Sequence, residues 1–193
     1  SLNALAMDVT NNIRKWYDWS GNDHYAGQTN HNLKPAYNPV FGVSFKETSL
    51  DIPFMAEKLD QNNVTIITIY RLGQNGTKMI TTESKETPEN YPWNFSKLTI
   101  DSSTGETITY KEDHNYLDFR NISIARFDTN TMDVFHNGRE KSGTFTTLPS
   151  TDRITLGSDP SDENKFIGII DEVLVFNKSL TDSDIIQLNY YLA

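Results

Sequence analysis

Two-residue alternation is the strongest pattern along the chain. Val64-Thr65-Ile66-Ile67-Thr68-Ile69-Tyr70-Arg71 is β-branched and apolar, bounded by Asn62-Asn63 and Gly73. A central strand covered on both faces reads this way. Asn121-Ile122-Ser123-Ile124-Ala125-Arg126-Phe127 alternates cleanly and offers Ile122, Ile124 and the Phe127 ring to a core. Met132 to His136 leads into Asn137-Gly138 and then Arg139-Glu140-Lys141. Asn-Gly between extended segments predicts a hairpin, because both turn positions need positive φ. Further strands are predicted at Val40 to Phe45, Lys78 to Thr82, Lys97 to Ile100, Thr107 to Tyr110, Arg153 to Leu156 and Phe166 to Phe176. Turn signals every ~8–12 residues give the spacing of an all-β sandwich.

Helical character is confined to the ends. Thr181-Asp182-Ser183-Asp184 is a cap followed by acids, which suit the positive end of the helix dipole. Ile185, Ile186, Leu188 and Leu192 then form one apolar face of a short C-terminal helix. Leu2 to Trp16 fits a helix, or a strand and loop. No composition shift or Pro/Gly-rich linker divides the chain, so residues 1–193 are read as a single domain.

Composition narrows the function classes. Acidic residues number 26 against 17 Lys and Arg, for a net charge of −9. Nucleic-acid binding is therefore not expected, since it depends on basic patches that displace counterions from phosphates. No apolar run approaches the ~18 residues of a membrane-spanning helix. Only 36 % of residues are hydrophobic, but ten Phe, nine Tyr and three Trp supply material for a packed core. The absence of cysteine excludes disulfides, zinc ribbons and cysteine nucleophiles. A chain of this size without disulfides points to a bacterial or phage source. Ser1-Leu2-Asn3 carries no signal-peptide pattern and reads as the start of an excised domain.

The residues of hydrolytic chemistry are not in the pattern it needs. Glycoside hydrolysis uses paired carboxylates facing one groove, ~5–10 Å apart. Glu83 and Glu86 fall in a polar loop, and Glu112-Asp113 are adjacent, pointing to opposite faces if extended. His24, His31, His114 and His136 make no zinc-ligand spacing, and no G-x-S-x-G elbow is present. The chain is read as non-catalytic. Sugar binding asks for an aromatic face against the C–H side of a pyranose ring, with amides or carboxylates for the hydroxyls. Glu89-Asn90-Tyr91-Pro92-Trp93-Asn94 places Tyr91, Trp93 and Asn94 in a proline-containing loop. Tyr110, His114 and Asn115, followed by Tyr116, form a second such group.

Two longer stretches carry a family likeness. Trp16-Tyr17-Asp18-Trp19-Ser20-Gly21-Asn22-Asp23, with Ala26-Gly27-Gln28-Thr29 and Lys34-Pro35 after it, resembles the W-x-D-x-S-G-N segment of LamG-like, concanavalin A-like domains. Ile154-Thr155-Leu156-Gly157, then Phe166-Ile167-Gly168-Ile169-Ile170-Asp171-Glu172-Val173 and Asn177-Lys178-Ser179-Leu180-Thr181, resembles their closing pattern. The Asn137-Gly138 turn sits where such domains carry Y-x-N-G.

The resemblance implies a concanavalin A-like jelly-roll sandwich of two antiparallel sheets with a short C-terminal helix. The E-x-D carboxylate patterns of the related hydrolases are absent. Relatives often hold Ca²⁺, which takes oxygen ligands. The loop Ser158 to Asn164 offers Asp159, Asp162 and Asn164 as ligands, and Asp18 with Asn22 and Asp23 is a second possibility. The expected function is a binding module for surface glycans in a phage virion or tail or a bacterial surface protein, outside the cell. The alternatives are a structural virion module with protein contacts only, and an accessory domain of a polysaccharide-degrading enzyme.

Overall fold

A computed structural model describes residues 5–20, 24–53, 63–73, 78–83, 93–96, 99–102, 107–109, 119–129, 131–144, 153–158 and 165–192. In chain order the first strands are β1 (Leu5–Met7), β2 (Ile13–Tyr17), β3 (Tyr25–Gly27), β4 (Ala36–Asn38), β5 (Gly42–Lys46), β6 (Leu50–Pro53), β7 (Asn63–Leu72) and β8 (Lys78–Glu83). There follow β9 (Trp93–Ser96), β10 (Thr99–Ser102), β11 (Thr107–Thr109), β12 (Arg120–Asp128), β13 (Thr131–His136), β14 (Arg139–Thr144), β15 (Arg153–Leu156) and β16 (Ile167–Phe176). Helix α1 spans Asp182–Leu192. Among the described residues, one sheet has the order β1-β2-β3-β6-β15-β8-β9-β10-β11 and the other β14-β13-β12-β7-β16-β5-β4. All pairings are antiparallel, as in a concanavalin A-like jelly roll.

The strand β7 lies between β12 and β16 and is buried on both faces. Its even positions Val64, Ile66, Tyr70 and Leu72 join the core between the sheets, together with Ile80, Ile154 and Leu156 of the opposite sheet. Its odd positions Ile67 and Ile69 join a second apolar cluster beneath α1. The strand shows little polar alternation because neither face meets water. On β12 the two faces separate in the same way. Ala125 and Phe127 enter the inter-sheet core, whereas Ile122 and Ile124 pack under the helix. The three apolar side chains expected to share one core thus serve two.

Helix α1 begins as its sequence predicts. Thr181 Oγ1 accepts from Asp184 N at 3.2 Å, and Asp184 Oδ2 accepts from Thr181 N at 3.0 Å, the reciprocal bonding of a capping box. Ile185, Leu188 and Leu192 face the second cluster. Ile186, expected on that face, is 68 % exposed. It follows Ile185 by one residue, which turns it ~100° around the helix axis. The hairpin also forms as predicted: Asn137 and Gly138 have φ of 48° and 80° between β13 and β14.

Several boundaries move. Among the described residues of Leu2 to Trp16 there are two strands, β1 and β2, and no helix. The strand expected from Val40 starts at Gly42. Asn38 Oδ1 accepts from both Val40 N at 2.9 Å and Phe41 N at 3.1 Å, holding those residues in a turn. The strands expected at Lys97 to Ile100 and Thr107 to Tyr110 are present as β10 and β11, with Lys97, Leu98 and Tyr110 outside the described residues. β3, β4, β6 and β9 have only three or four residues each, too few for alternation to reveal.

Candidate functional site

The sandwich is closed along one edge, and a cavity opens there. Asn12, just ahead of β2, bridges to Ala36 of β4, and Ile13 N donates to Pro35 O at 2.7 Å. Beside this seam lies a cavity of about 400 Å³ lined by Leu5, Trp16, Tyr37, Val40, Phe41, Gly42, Val43, Arg71, Arg120 and Asp171. Three of these are aromatic, two are arginines and one is an aspartate. Its wall thus combines aromatic rings with charged groups of both signs.

Each polar group has a local cause for its position. Asp171 is the extra residue of a bulge: Ile170 pairs with Tyr70 while Glu172 pairs with Ile69. A bulge re-aims a side chain without ending the strand. Asp171 Oδ2 lies 3.5 Å from Arg120 Nε, with the aspartate side chain 18 % exposed and that of Arg120 38 %. Asp171 Oδ1 is buried and accepts no hydrogen bond from the described residues. Burial pushes the Asp171 carboxyl above its usual range, while Arg71 and Arg120 pull it the other way. Arg120 Nη1 donates to Leu192 O at the end of α1.

The aromatic wall comes from the hairpin between β4 and β5. Phe41 is 43 % exposed in the turn that Asn38 ties. The Arg71 guanidinium lies 5.1 Å from the centre of its ring, within the range of a cation–π contact. Gly42 has φ +113°, and a Cβ there would stand 2.9 Å from Ile170 O and 3.3 Å from Asp171 Oδ1. Glycine at this position keeps the space over Asp171 open. Trp16 and Tyr37 pack partly against the inter-sheet core.

The residues predicted from sequence to bind sugar lie elsewhere. Trp93 and Asn94 are on β9, where a loop was expected, with Asn94 opposite Asp101 and Trp93 opposite Ser102. From β2 to β9 the sheet order counts five strand steps, about 24 Å at ~4.8 Å per step. Tyr91, Tyr110, His114 and Asn115 lie outside the described residues. So do the calcium ligands Asp159, Asp162 and Asn164, together with Asn22 and Asp23. Asp18 accepts from Ser20 N at 2.8 Å and from the Ser20 hydroxyl, a local turn. Among the described residues no three His, Asp or Glu side chains group in a way that could hold a metal.

The sequence pattern placed Asp171 only within the closing motif and singled out none of Tyr37, Phe41, Arg71 and Arg120. One signal was available: Val40-Phe41 directly follows Asn38-Pro39, an apolar pair in a turn, which is costly to expose without a partner.

The sequence profile described as "Concanavalin A-like lectin/glucanases superfamily" matches residues 44–186. No curated protein matches the chain by sequence. Among solved structures the fold is similar to domain 4 of AbnA, a GH43 extracellular arabinanase from Geobacillus stearothermophilus, in complex with arabinotriose. That likeness has a TM-score of 0.61 at 15 % identity and covers 91 % of this chain and 81 % of that one. The botulinum neurotoxin serotype D binding domain matches with a TM-score of 0.68 at 14 % identity, over 97 % of this chain and 50 % of that one. A Trypanosoma rangeli sialidase matches with a TM-score of 0.65 at 10 % identity, over 96 % and 32 %. The chain thus spans about half of the neurotoxin domain and a third of the sialidase. No helix among the described residues is long and apolar enough to cross a membrane.

Proposed function

The chain belongs to the concanavalin A-like lectin/glucanases superfamily, and from that premise we propose that it is a non-catalytic module that binds glycans in the cavity beside the β4–β5 hairpin. The observation that carries this reading is the wall itself, where Trp16, Tyr37 and Phe41 stand with Asp171 and Arg120. Aromatic faces take the C–H side of a sugar ring, and a carboxylate with a guanidinium takes its hydroxyls. Among the described residues the wall holds one carboxylate, and hydrolysis by paired carboxylates asks for two. The arabinotriose held by the similar arabinanase domain supports the same reading.

The setting we propose is a surface, either a phage virion or tail or a bacterial surface protein, with a cell-surface glycan as partner. An accessory domain of a polysaccharide-degrading enzyme is the second reading, supported by the likeness to one domain of an arabinanase. Ca²⁺ at Asp159, Asp162 and Asn164 stays part of the proposal, and thermal melts in millimolar calcium and in EDTA that superimpose would remove it. A glycan array probed with wild type, Phe41→Ala, Trp93→Ala and the surface control Lys141→Ala tests the site. Loss of binding in Phe41→Ala alone supports the cavity, whereas loss in Trp93→Ala alone moves the site to β9. No binding by wild type would favour a structural module with protein contacts only.

A further inference from the structure

Asp171 Oδ1 sets a requirement on any ligand of the cavity. An ionised carboxylate only accepts hydrogen bonds, and this oxygen is buried with no donor among the described residues. Leaving a buried acceptor without a donor is unfavourable. The arrangement that produces it is local and specific. The bulge places one extra residue between Ile170 and Glu172, and Gly42 withholds the Cβ that would stand 3.3 Å from Oδ1. Arg120 supplies the opposite capacity at the same wall. It uses Nη1 on Leu192 O and brings Nε to 3.5 Å from Asp171 Oδ2. A guanidinium has five N–H donors, so Arg120 keeps others for a ligand.

We infer that the cavity selects a neutral sugar, one ring hydroxyl donating to Asp171 Oδ1 and a neighbouring oxygen accepting from Arg120, and that it rejects sugars whose ring carries a carboxylate. This deepens the glycan reading above and rests on it. Each hydroxyl of a neutral pyranose both donates and accepts, so adjacent hydroxyls satisfy both protein groups at once. A ligand carboxylate only accepts. Placed at Asp171 in the hydroxyl's stead, it would leave Oδ1 without a donor and set a second anion there, on a wall where Arg71 and Arg120 stand beside one carboxylate. The net charge of −9 works in the same direction at longer range. Burial already holds the Asp171 carboxyl above its usual range, so a donor from the ligand relieves a group the fold alone leaves poorly solvated.

The test is an array of neutral, uronic-acid and sialic-acid oligosaccharides. Calorimetry then follows with methyl glucoside, galactoside and mannoside against methyl glucuronide. Wild type is expected to bind at least one neutral glycoside at least tenfold more tightly than the glucuronide. Asp171→Asn is expected to lose at least tenfold on that neutral sugar and to narrow its margin over the glucuronide, with a melting temperature no lower than wild type. Array binding confined to acidic glycans, or a glucuronide bound as tightly as its neutral counterpart, overturns the inference while the glycan reading stands. Undiminished neutral binding by Asp171→Asn does the same. A melting temperature several degrees lower in Asp171→Asn would make the aspartate a strut of the bulge and overturn its assignment. Binding of wild type to no glycan of either kind removes both readings.

Discussion

Arg120 and Arg126 stand at the two ends of one face of β12, and each reaches one end of α1. At the helix N-terminal end Arg126 makes four hydrogen bonds. Its Nε and Nη2 donate to Asp133 Oδ2 at 3.0 and 2.6 Å, and its Nη1 donates to Leu180 O at 3.0 Å and to Asp182 Oδ1 at 2.5 Å. It also lies 5.4 Å from the centre of the Phe135 ring. Burial works against its charge, yet the bonds to Asp182 and Asp133 raise its pKa. At the C-terminal end Arg120 has one carbonyl, which suits the negative end of the helix dipole, and one long contact to Asp171. The two arginines share a strand, a face and a helix. One closes a joint and the other lines a cavity, and what separates them is the number of acceptors that each neighbourhood supplies. A cluster whose charges are paired with one another has little left for a ligand. An incompletely satisfied one beside open space has more.

The strongest way to break this comparison is to remove the layer that both arginines flank. Ile124 lies on β12 between them, fully buried beneath α1 and opposite Ile67 of β7. Ile124→Asp would bury a charge with no partner, and the expected outcome is failure to fold, read by circular dichroism and solubility. A soluble variant with a cooperative melt would mean that the helix does not cover this face.

A gentler substitution sharpens the comparison. The Arg126 side chain is 12 % exposed and that of its partner Asp133 is 16 % exposed. Truncating one member of a buried pair leaves the other charge uncompensated, typically a loss of ~3–5 kcal/mol. Asp182 is largely in water, so Arg126→Ala is expected to cost about 3 kcal/mol in urea denaturation. Arg120→Ala, at a more exposed pair, is expected to cost less than ~1 kcal/mol. Equal losses would show that the two ends of the helix are held alike and that the Arg120 end is as structural as the other.

The same contrast explains what could be read in the sequence. The elements around the Arg126 end follow local patterns: the alternation of β12, the cap of Thr181 with Asp184, the Asn137-Gly138 turn. Each depends on residues a few positions apart, and each formed as expected. The cavity depends on residues from β1, β2, β4, β5, β7, β12 and β16, brought together only by the order of strands in the sheets. No window of sequence contains Phe41, Arg120 and Asp171 at once. Asp171 was visible only as part of the closing motif, and the space beside its Oδ1 depends on Gly42, which lies far away in sequence. Aromatic stretches such as Tyr91 to Asn94 attract attention because they are contiguous, and contiguity is the property that a site assembled by sheet topology lacks.

The smallest effect expected is also the one that separates the two kinds of acid. Asp184 is held below the usual carboxylate range, chiefly by the Thr181 hydroxyl. Asp8 is held below it too, chiefly by the Thr10 hydroxyl, with the Thr10 and Asn12 N–H groups and Lys34 Nζ adding to the effect. A carboxyl lowered by folding contributes stability above its unfolded pKa and loses it as pH falls through the folded value. Asp171 has the opposite sign, because burial raises it. Between the ordinary value of 3.8 and its own higher value, the native state holds more protons than the unfolded chain, so this contribution shrinks as pH rises through that window. Asparagine resembles the protonated carboxyl in shape and charge. The stability of Asp171→Asn minus that of wild type is therefore expected to be near zero at the acid end of the window, to grow in favour of the variant as pH rises, and to level off toward neutrality. Urea denaturation of both proteins at several pH values between 3.5 and 8 measures this difference. An advantage that shrank with rising pH would place Asp171 with Asp8 and Asp184 among the satisfied acids, and the cavity would lose its unmet acceptor.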